Sequence, residues 1–155
     1  MVDEDGDRLI CPTATTLIHC LSGSAGQLLW ASQTASGTVL TGGRRVLLPG
    51  RFIGAESYPL GRNDLFALDL ATGARIWTAP SAQDGDLGSN NYRVAGTASG
   101  LLWVRTQHGF ACHAASDGQK LSDVYIGVDE RGFGEVVPSN DGLFYVGAHL
   151  IRLVP

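Results

Sequence analysis

Three aspartates alternate at the start of the 155-residue chain, Asp3, Asp5 and Asp7, with Gly6 between the last two. Closely spaced carboxylates can converge their oxygens on a hard cation such as calcium. A helix–loop–helix calcium loop counted from Asp3 needs a glutamate at its twelfth position, which here is Ala14. A solvated terminal turn is therefore the expectation, with Asp3, Asp5 and Asp7 kept as weak metal candidates. The three cysteines, Cys11, Cys20 and Cys112, are odd in number and too few for a disulfide scaffold. A tight hairpin centred near Thr15 and Thr16 would set Cys11 opposite Cys20, close enough for a cross-strand disulfide. Buried reduced thiols are the competing and preferred expectation. His19, His108, His113 and His149 fall in separate segments without His-x-His or Cys-x-x-Cys spacing, which gives zinc no ligand set. No nucleophile elbow marks a reactive serine, and no catalytic residue is assigned. The stretch Gly50 to Asp64 reads as a long inserted loop, of a length that is often functional. Its Arg51, Phe52, Tyr58 and Arg62 have the aromatic-plus-arginine character of interface hot spots, which suits a protein partner or a small ligand.

Composition removes several classes of function. With 15 acidic against 11 basic residues, a net charge of -4 and no basic cluster beyond Arg44-Arg45, the footprint of a nucleic-acid binder is missing. Apolar runs such as Leu101-Leu102-Trp103-Val104 fall far short of the roughly 20 residues of a membrane-spanning helix. The acidic start has neither the positive nor the apolar region of a secretory signal, so no signal peptide is expected in this chain and its location stays unassigned. Hydrophobic residues at 44 % and charged residues at 17 % support a packed core. The 21 glycines are about twice the usual share and imply many turns.

The elements that must position these residues repeat. Leu65 to Trp77 lines up with Leu17 to Trp30 when one residue is gapped in the turn, and Phe110 to Leu121 forms a weaker third copy. The turn glycines Gly26, Gly73 and Gly118 lie 47 and 45 residues apart, a period expected of propeller blades. Short β-rich runs precede each copy: Arg8–Cys11, Arg45–Leu48, Leu101–Val104 and Leu143–Val146, with Thr38–Leu40, Arg93–Ala95 and Glu135–Val137 further upstream. The unit is thus about four strands and the chain all-β, since no stretch has a capped 3.6-residue period. Within the turn, Asp69 and Thr72 can bond nearby backbone amides while Gly73 accepts a positive φ. Trp30 and Trp77, at one repeat position, are expected to pack between adjacent sheets, and Cys20, Ala67 and Cys112 to share a tight interior site. Strand alternation should point Cys112 and His113 to opposite faces. Trp103 lies in a different strand, in the core or at the rim.

The motif LFALDLATGARIW at Leu65–Trp77 resembles the repeat of quinoprotein (PQQ-like) β-propellers, which carry Leu-Tyr-Ala-Leu-Asp, two spacers, Thr-Gly and then Trp. The resemblance implies a β-propeller of four-stranded antiparallel blades spanning residues 1–155, with approximate blades 1–37, 38–83, 92–126 and an incomplete 134–155. The family holds PQQ-dependent dehydrogenases, in which a large wheel binds PQQ and calcium beside a catalytic Asp and often adjacent cysteines. It also holds non-enzymatic outer-membrane assembly lipoproteins and sensor domains, and is often periplasmic. This chain has no adjacent cysteine pair and no position matching the catalytic Asp. The expectation is a non-catalytic binding scaffold without a cofactor. A fragment of a quinoprotein dehydrogenase, with PQQ and calcium, is one alternative; a structural unit that self-assembles into a closed ring is the other. At about 45 residues per blade the chain holds about three and a half blades, where closed propellers have about four to eight. Homo-oligomer, remainder of a longer propeller and compact four-bladed form are the three ways to resolve that count.

Overall fold

The computed structural model describes residues 7–12, 16–33, 38–39, 46–57, 63–80, 93–106, 109–125, 135–139, 142–146 and 150–153, and every regular element among them is a β-strand. Blade 1 is the sheet β1 (Arg8–Pro12), β2 (Leu17–Ser22) and β3 (Leu28–Gln33), in that order. Blade 2 contains β4 (Thr38–Val39), β5 (Val46–Leu48), β6 (Arg51–Ser57), β7 (Asn63–Asp69) and β8 (Arg75–Pro80). Both β4 and β5 pair with β6, at its two ends, on the same side of the sheet. Blade 3 runs β9 (Arg93–Ala98), β10 (Leu101–Arg105), β11 (Gly109–Ala114) and β12 (Lys120–Tyr125). Blade 4 shows β13 (Glu135–Ser139), β14 (Gly142–Val146) and β15 (Leu150–Leu153). Every pairing is antiparallel. The architecture is all-β and forms part of a β-propeller.

One turn closes the outer hairpin of three blades. The Asp69 N–H donates to Ala74 O and the Gly73 N–H to Asp69 O, both at 2.8 Å, and Ser22/Gly26/Gln27 and Ala114/Gly118/Gln119 repeat the pair at 2.7–2.9 Å. Gly26, Gly73 and Gly118 have φ of +65°, +73° and +78°, where a side chain would be strained. These bonds align the first two copies from Ile18 with Leu65, without the gap expected from the sequence. After the turn each outer strand carries the same bulge: Leu29, Ile76 and Leu121 are skipped in the ladder and are 49, 42 and 48 % exposed.

Three apolar joints hold the stack together. Ile10, Ile18, Cys20 and Trp30 of blade 1 meet Phe52, Phe66 and Leu68 of blade 2. On the other face of blade 2, Ile53, Leu65, Ala67 and Trp77 meet Leu102, Val104 and Ala115 of blade 3. Trp103, Phe110 and Cys112 of blade 3 meet Tyr145 of blade 4, with the Phe110 and Tyr145 rings edge-on at 5.5 Å. Cys20, Ala67 and Cys112 are fully buried at the shared small-residue position, and Trp103 is core.

Two expectations are corrected here. The stretch from Arg51 is a strand rather than an inserted loop: β6 pairs with β7 through Asn63, which leaves only positions 58–62 as their connection. The β-rich run ending at Leu48 is not the strand that pairs with the Leu65 copy: Val46–Leu48 is the inner strand β5, and Pro49-Gly50 is the turn that leads into β6. Because β6 is buried on both faces, with Phe52 toward blade 1 and Ile53 toward blade 3, it lacks the apolar–polar alternation that announces a half-buried strand. The cysteines follow the preferred expectation of reduced thiols, and the register removes the cross-strand alternative. Cys11 pairs with His19 and Ile10 with Cys20, one residue out of the register a disulfide needs, and all three thiols are free. Side chains one residue apart on a strand point to opposite faces.

Candidate functional site

The first two joints are built alike, and their difference locates the site. Trp30 lies on the turn of the next blade so closely that a Cβ at Gly73 would come within 2.5 Å of the indole. The Trp30 Nε1–H donates to Leu70 O at 2.9 Å, so the ring is both packed and satisfied. Trp77 covers Gly118 in the same way, with 2.7 Å to a Cβ built there. Its Nε1, however, is buried with no hydrogen-bond partner. Ala115 O, the counterpart of Leu70 O, instead accepts from Arg51 Nη1 at 3.2 Å, and the same nitrogen donates to Ser116 O at 2.9 Å. Arg51 therefore ties blade 2 to blade 3 where an indole ties blade 1 to blade 2.

A cleft of about 260 Å³ opens at this second joint. Thr78 and Ala79 of β8 form one wall; His113 and the turn Asp117–Lys120 form the other. The turn equivalence puts His113 where blade 2 has the buried Leu68 and blade 1 has Leu21. His113 is 3 % exposed, and its Nδ1 lies 2.9 Å from Gly118 O. A carbonyl only accepts, so Nδ1 carries the hydrogen and Nε2 keeps a lone pair. Burial pushes the imidazole below the usual histidine value, against the opposing pull of the Gly118 carbonyl, so the ring stays neutral at pH 7. On the rim, Asp117 Oδ1 accepts from the Gln119 N–H at 2.9 Å and Lys120 pairs with Asp123 at 2.7 Å. Cys112 faces the opposite side of β11, in the joint with blade 4, as alternation predicts; burial raises its pKa and keeps it a thiol.

Glu56, Arg75 and Asp69 are engaged within the fold. Glu56, fully buried, takes a two-pronged contact from Arg75 at 3.0 and 3.3 Å, while the Arg75 guanidinium also donates to Thr78 Oγ1 at 3.0 Å and lies 4.8 Å from the Phe66 ring centre. Asp69 Oδ1 accepts from the Ala71 N–H, the Thr72 N–H and the Thr72 hydroxyl at 2.8–3.0 Å. The Thr72 hydroxyl is the main reason that its pKa is lowered, and Arg8 adds to the effect.

Of the residues singled out by sequence, Arg51 reaches across the joint and Phe52 is buried in the core. The Phe52 ring is thus unavailable to a partner. Tyr58, Arg62, Asp3, Asp5, His108 and His149 lie outside the described residues. Asp7 precedes β1, and its carbonyl accepts from the Gly23 N–H at 2.6 Å, the role that Gly50 and Gly100 carbonyls play for Leu70 and Ala115. His113 as a cleft residue was missed, although the column Leu21, Leu68, His113 in the repeats carried the signal.

The quinone and calcium of the resembled dehydrogenases can be tested against this donor set. A calcium ion asks for several converging oxygens and the quinone for cationic partners for its carboxylates. The cleft offers one carboxylate, Asp117, and one ammonium already paired with Asp123, while Arg51 and Arg75 are held at the blade joints. Among the described residues the site does not fit that pair.

No protein-family model and no curated protein matches the sequence. Solved structures do match. BamB from Moraxella catarrhalis superposes with a TM-score of 0.66 at 14 % identity, over 94 % of this chain and 42 % of that one. Quinohemoprotein alcohol dehydrogenase from Comamonas testosteroni gives 0.59 at 18 % identity, over 77 % of this chain and 20 % of that one. The computationally designed Ika4 protein gives 0.63 at 10 % identity, over 96 % of this chain and 86 % of that one. The chain thus spans less than half the length of the first two. At these identities the likeness is one of fold, and that fold is the β-propeller, of which the described blades are a part.

Proposed function

We propose that the chain is a non-catalytic propeller module that binds a partner or a small ligand, with the cleft between blades 2 and 3 as its binding site. The observation that carries this reading is the replacement of a core leucine by His113 at the one described joint whose tryptophan N–H is unsatisfied. A joint shaped only for stability would repeat the Leu68 arrangement, because an apolar side chain there costs no desolvation. Three of the described carboxylates are held in place, which supports a binding role over acid–base chemistry: Glu56 by Arg75, Asp69 by its turn, and Asp117 by the Gln119 amide. Rigid strands that present a few polar groups at their ends are the common design of binding propellers. Incubation with PQQ and calcium followed by gel filtration tests the reading. Protein eluting without quinone absorbance is the expected outcome, and co-eluting quinone would overturn it in favour of a dehydrogenase fragment.

A further inference from the structure

The joint between blades 2 and 3 has two donors for one carbonyl. Arg8, Arg51 and Leu101 hold one position of the repeat, paired with Ser22, Asp69 and Ala114 in turn. Arg8 of blade 1 lies close enough to the blade 2 turn for its charge to help hold the Asp69 carboxyl down. Blade 3 has Ala114 where blade 2 has Asp69, so the Arg51 guanidinium meets no carboxylate there. It settles instead on Ala115 O at 3.2 Å and Ser116 O at 2.9 Å, both through Nη1. Ala115 O is the acceptor that the repeat assigns to an indole, as Leu70 O serves Trp30 at 2.9 Å. Trp77 stacks on Gly118 as Trp30 stacks on Gly73, yet its Nε1 is left buried and unpaired.

Resting for its partner on the binding-module reading, we infer that this joint is a two-state latch. Arg51 holds the Ala115 carbonyl in the state seen here, and a ligand carboxylate draws Arg51 away so that the Trp77 N–H takes that carbonyl. The second state already exists in the molecule, because the joint between blades 1 and 2 has its indole on the equivalent oxygen. The guanidinium is half-buried, and its Nε and Nη2 make no bond among the described residues, which leaves the fork an open edge of the shape a carboxylate matches. No acid of the protein competes for it among those residues: Asp117, on the same turn, accepts from the Gln119 N–H, and Arg51 has no ion pair. The exchange is close to balanced. Arg51 trades carbonyl bonds for a charge-assisted pair, while a buried N–H that is costly to leave unpaired gains a partner. A carboxylate that engages Arg51 only once it has left the carbonyl shifts the two populations by that difference in affinity.

The test follows the indole N–H signals of the whole chain by NMR, with the Trp77 signal assigned by its loss in Trp77→Phe. Arg51→Met should move that signal downfield and slow its solvent exchange, as a new hydrogen bond does, and leave the Trp30 signal in place. An unmoved Trp77 signal in Arg51→Met overturns the latch. In unfolding titrations Arg51→Met should lower the folding constant about fivefold more in a Trp77→Phe background than in the wild type, because no indole then takes up the carbonyl; equal losses overturn the latch as well. The wild type is titrated with acetate, with an oligoglutamate peptide and with an oligolysine peptide, so the carboxylate arm stands even if Arg51→Met does not fold. Movement of the Trp77 signal in the Arg51→Met direction by acetate or by oligoglutamate is expected, and the two arms tell a free carboxylate from a peptide-borne one. No movement with either, or the same movement with oligolysine, overturns the carboxylate trigger. The binding-module reading itself fails only in the separate quinone experiment, so the two failures are distinguishable.

Discussion

Asp69 holds its turn through a single carboxylate oxygen that takes three hydrogen bonds. Asp69→Ala should lower the unfolding free energy by about 1 kcal/mol in urea titrations, a modest figure because the turn is solvent-exposed. Since its native pKa lies below the reference 3.8, the contribution is present above that value and is lost as pH falls through the native one. The variant should therefore show a shallower loss of Tm on acidification from about pH 5. His113 behaves in the opposite chemical sense with the same sign. Its native pKa lies below the reference 6.5, so the unfolded chain takes up the proton first, and stability is full above that value and falls beneath it. Lys120 and Asp123 act on the ring with opposing signs, so burial decides the direction. Tm should drop between about pH 7.5 and 5.5 in the wild type and vary less in His113→Leu.

The turn-and-indole element makes paired variants informative. Gly73 and Gly26 share a positive φ, but Gly73 lies under Trp30 while nothing approaches Gly26 within 4 Å. Both alanine variants carry a conformational penalty of about 1–2 kcal/mol, and Gly73→Ala adds an overpacking cost of about 1–3 kcal/mol. Equal losses in thermal or chemical unfolding would contradict the stacking seen here. Trp30→Phe removes a hydrogen bond to Leu70 O, whereas Trp77→Phe removes an N–H that had no partner. The first should therefore cost about 1 kcal/mol more than the second. This element was the most legible part of the chain, because Asp, Thr, Gly and Trp are each dictated by a local bond, a backbone angle or a large buried face. β6 was not legible: a strand buried on both sides has no period-2 pattern, and Gly54 and Glu56 gave it the composition of a loop. The cleft escaped for another reason. It depends on which residue of one repeat faces which residue of the next, and a pattern within one repeat does not contain that.

Along the whole molecule the joints are unequal. Ser122 occupies in blade 3 the place of Trp30 and Trp77, opposite Cys112, and its hydroxyl is buried without a partner. The joint to blade 4 thus rests on the smaller cluster of Trp103, Phe110, Cys112 and Tyr145. Repeat stacks derive their stability from nearest-neighbour interfaces, and local opening starts at the weakest. In native-state hydrogen exchange, the amides of β14 should lose protection at lower denaturant than those of β7; simultaneous loss would mean that the joints are equally strong. Length already pointed to an arc of about three and a half blades, and the superpositions on longer chains agree with a partial wheel.

The repeated bulge at Leu29, Ile76 and Leu121 bears on a hazard that every exposed sheet edge carries. A straight outer strand would offer a continuous row of amides and carbonyls to any passing chain. By adding one residue to each outer strand, the bulge throws the free edge out of step with a foreign strand after only a few rungs. An apolar side chain can therefore sit in water at the rim of three successive blades without making that rim a template for amyloid-like growth.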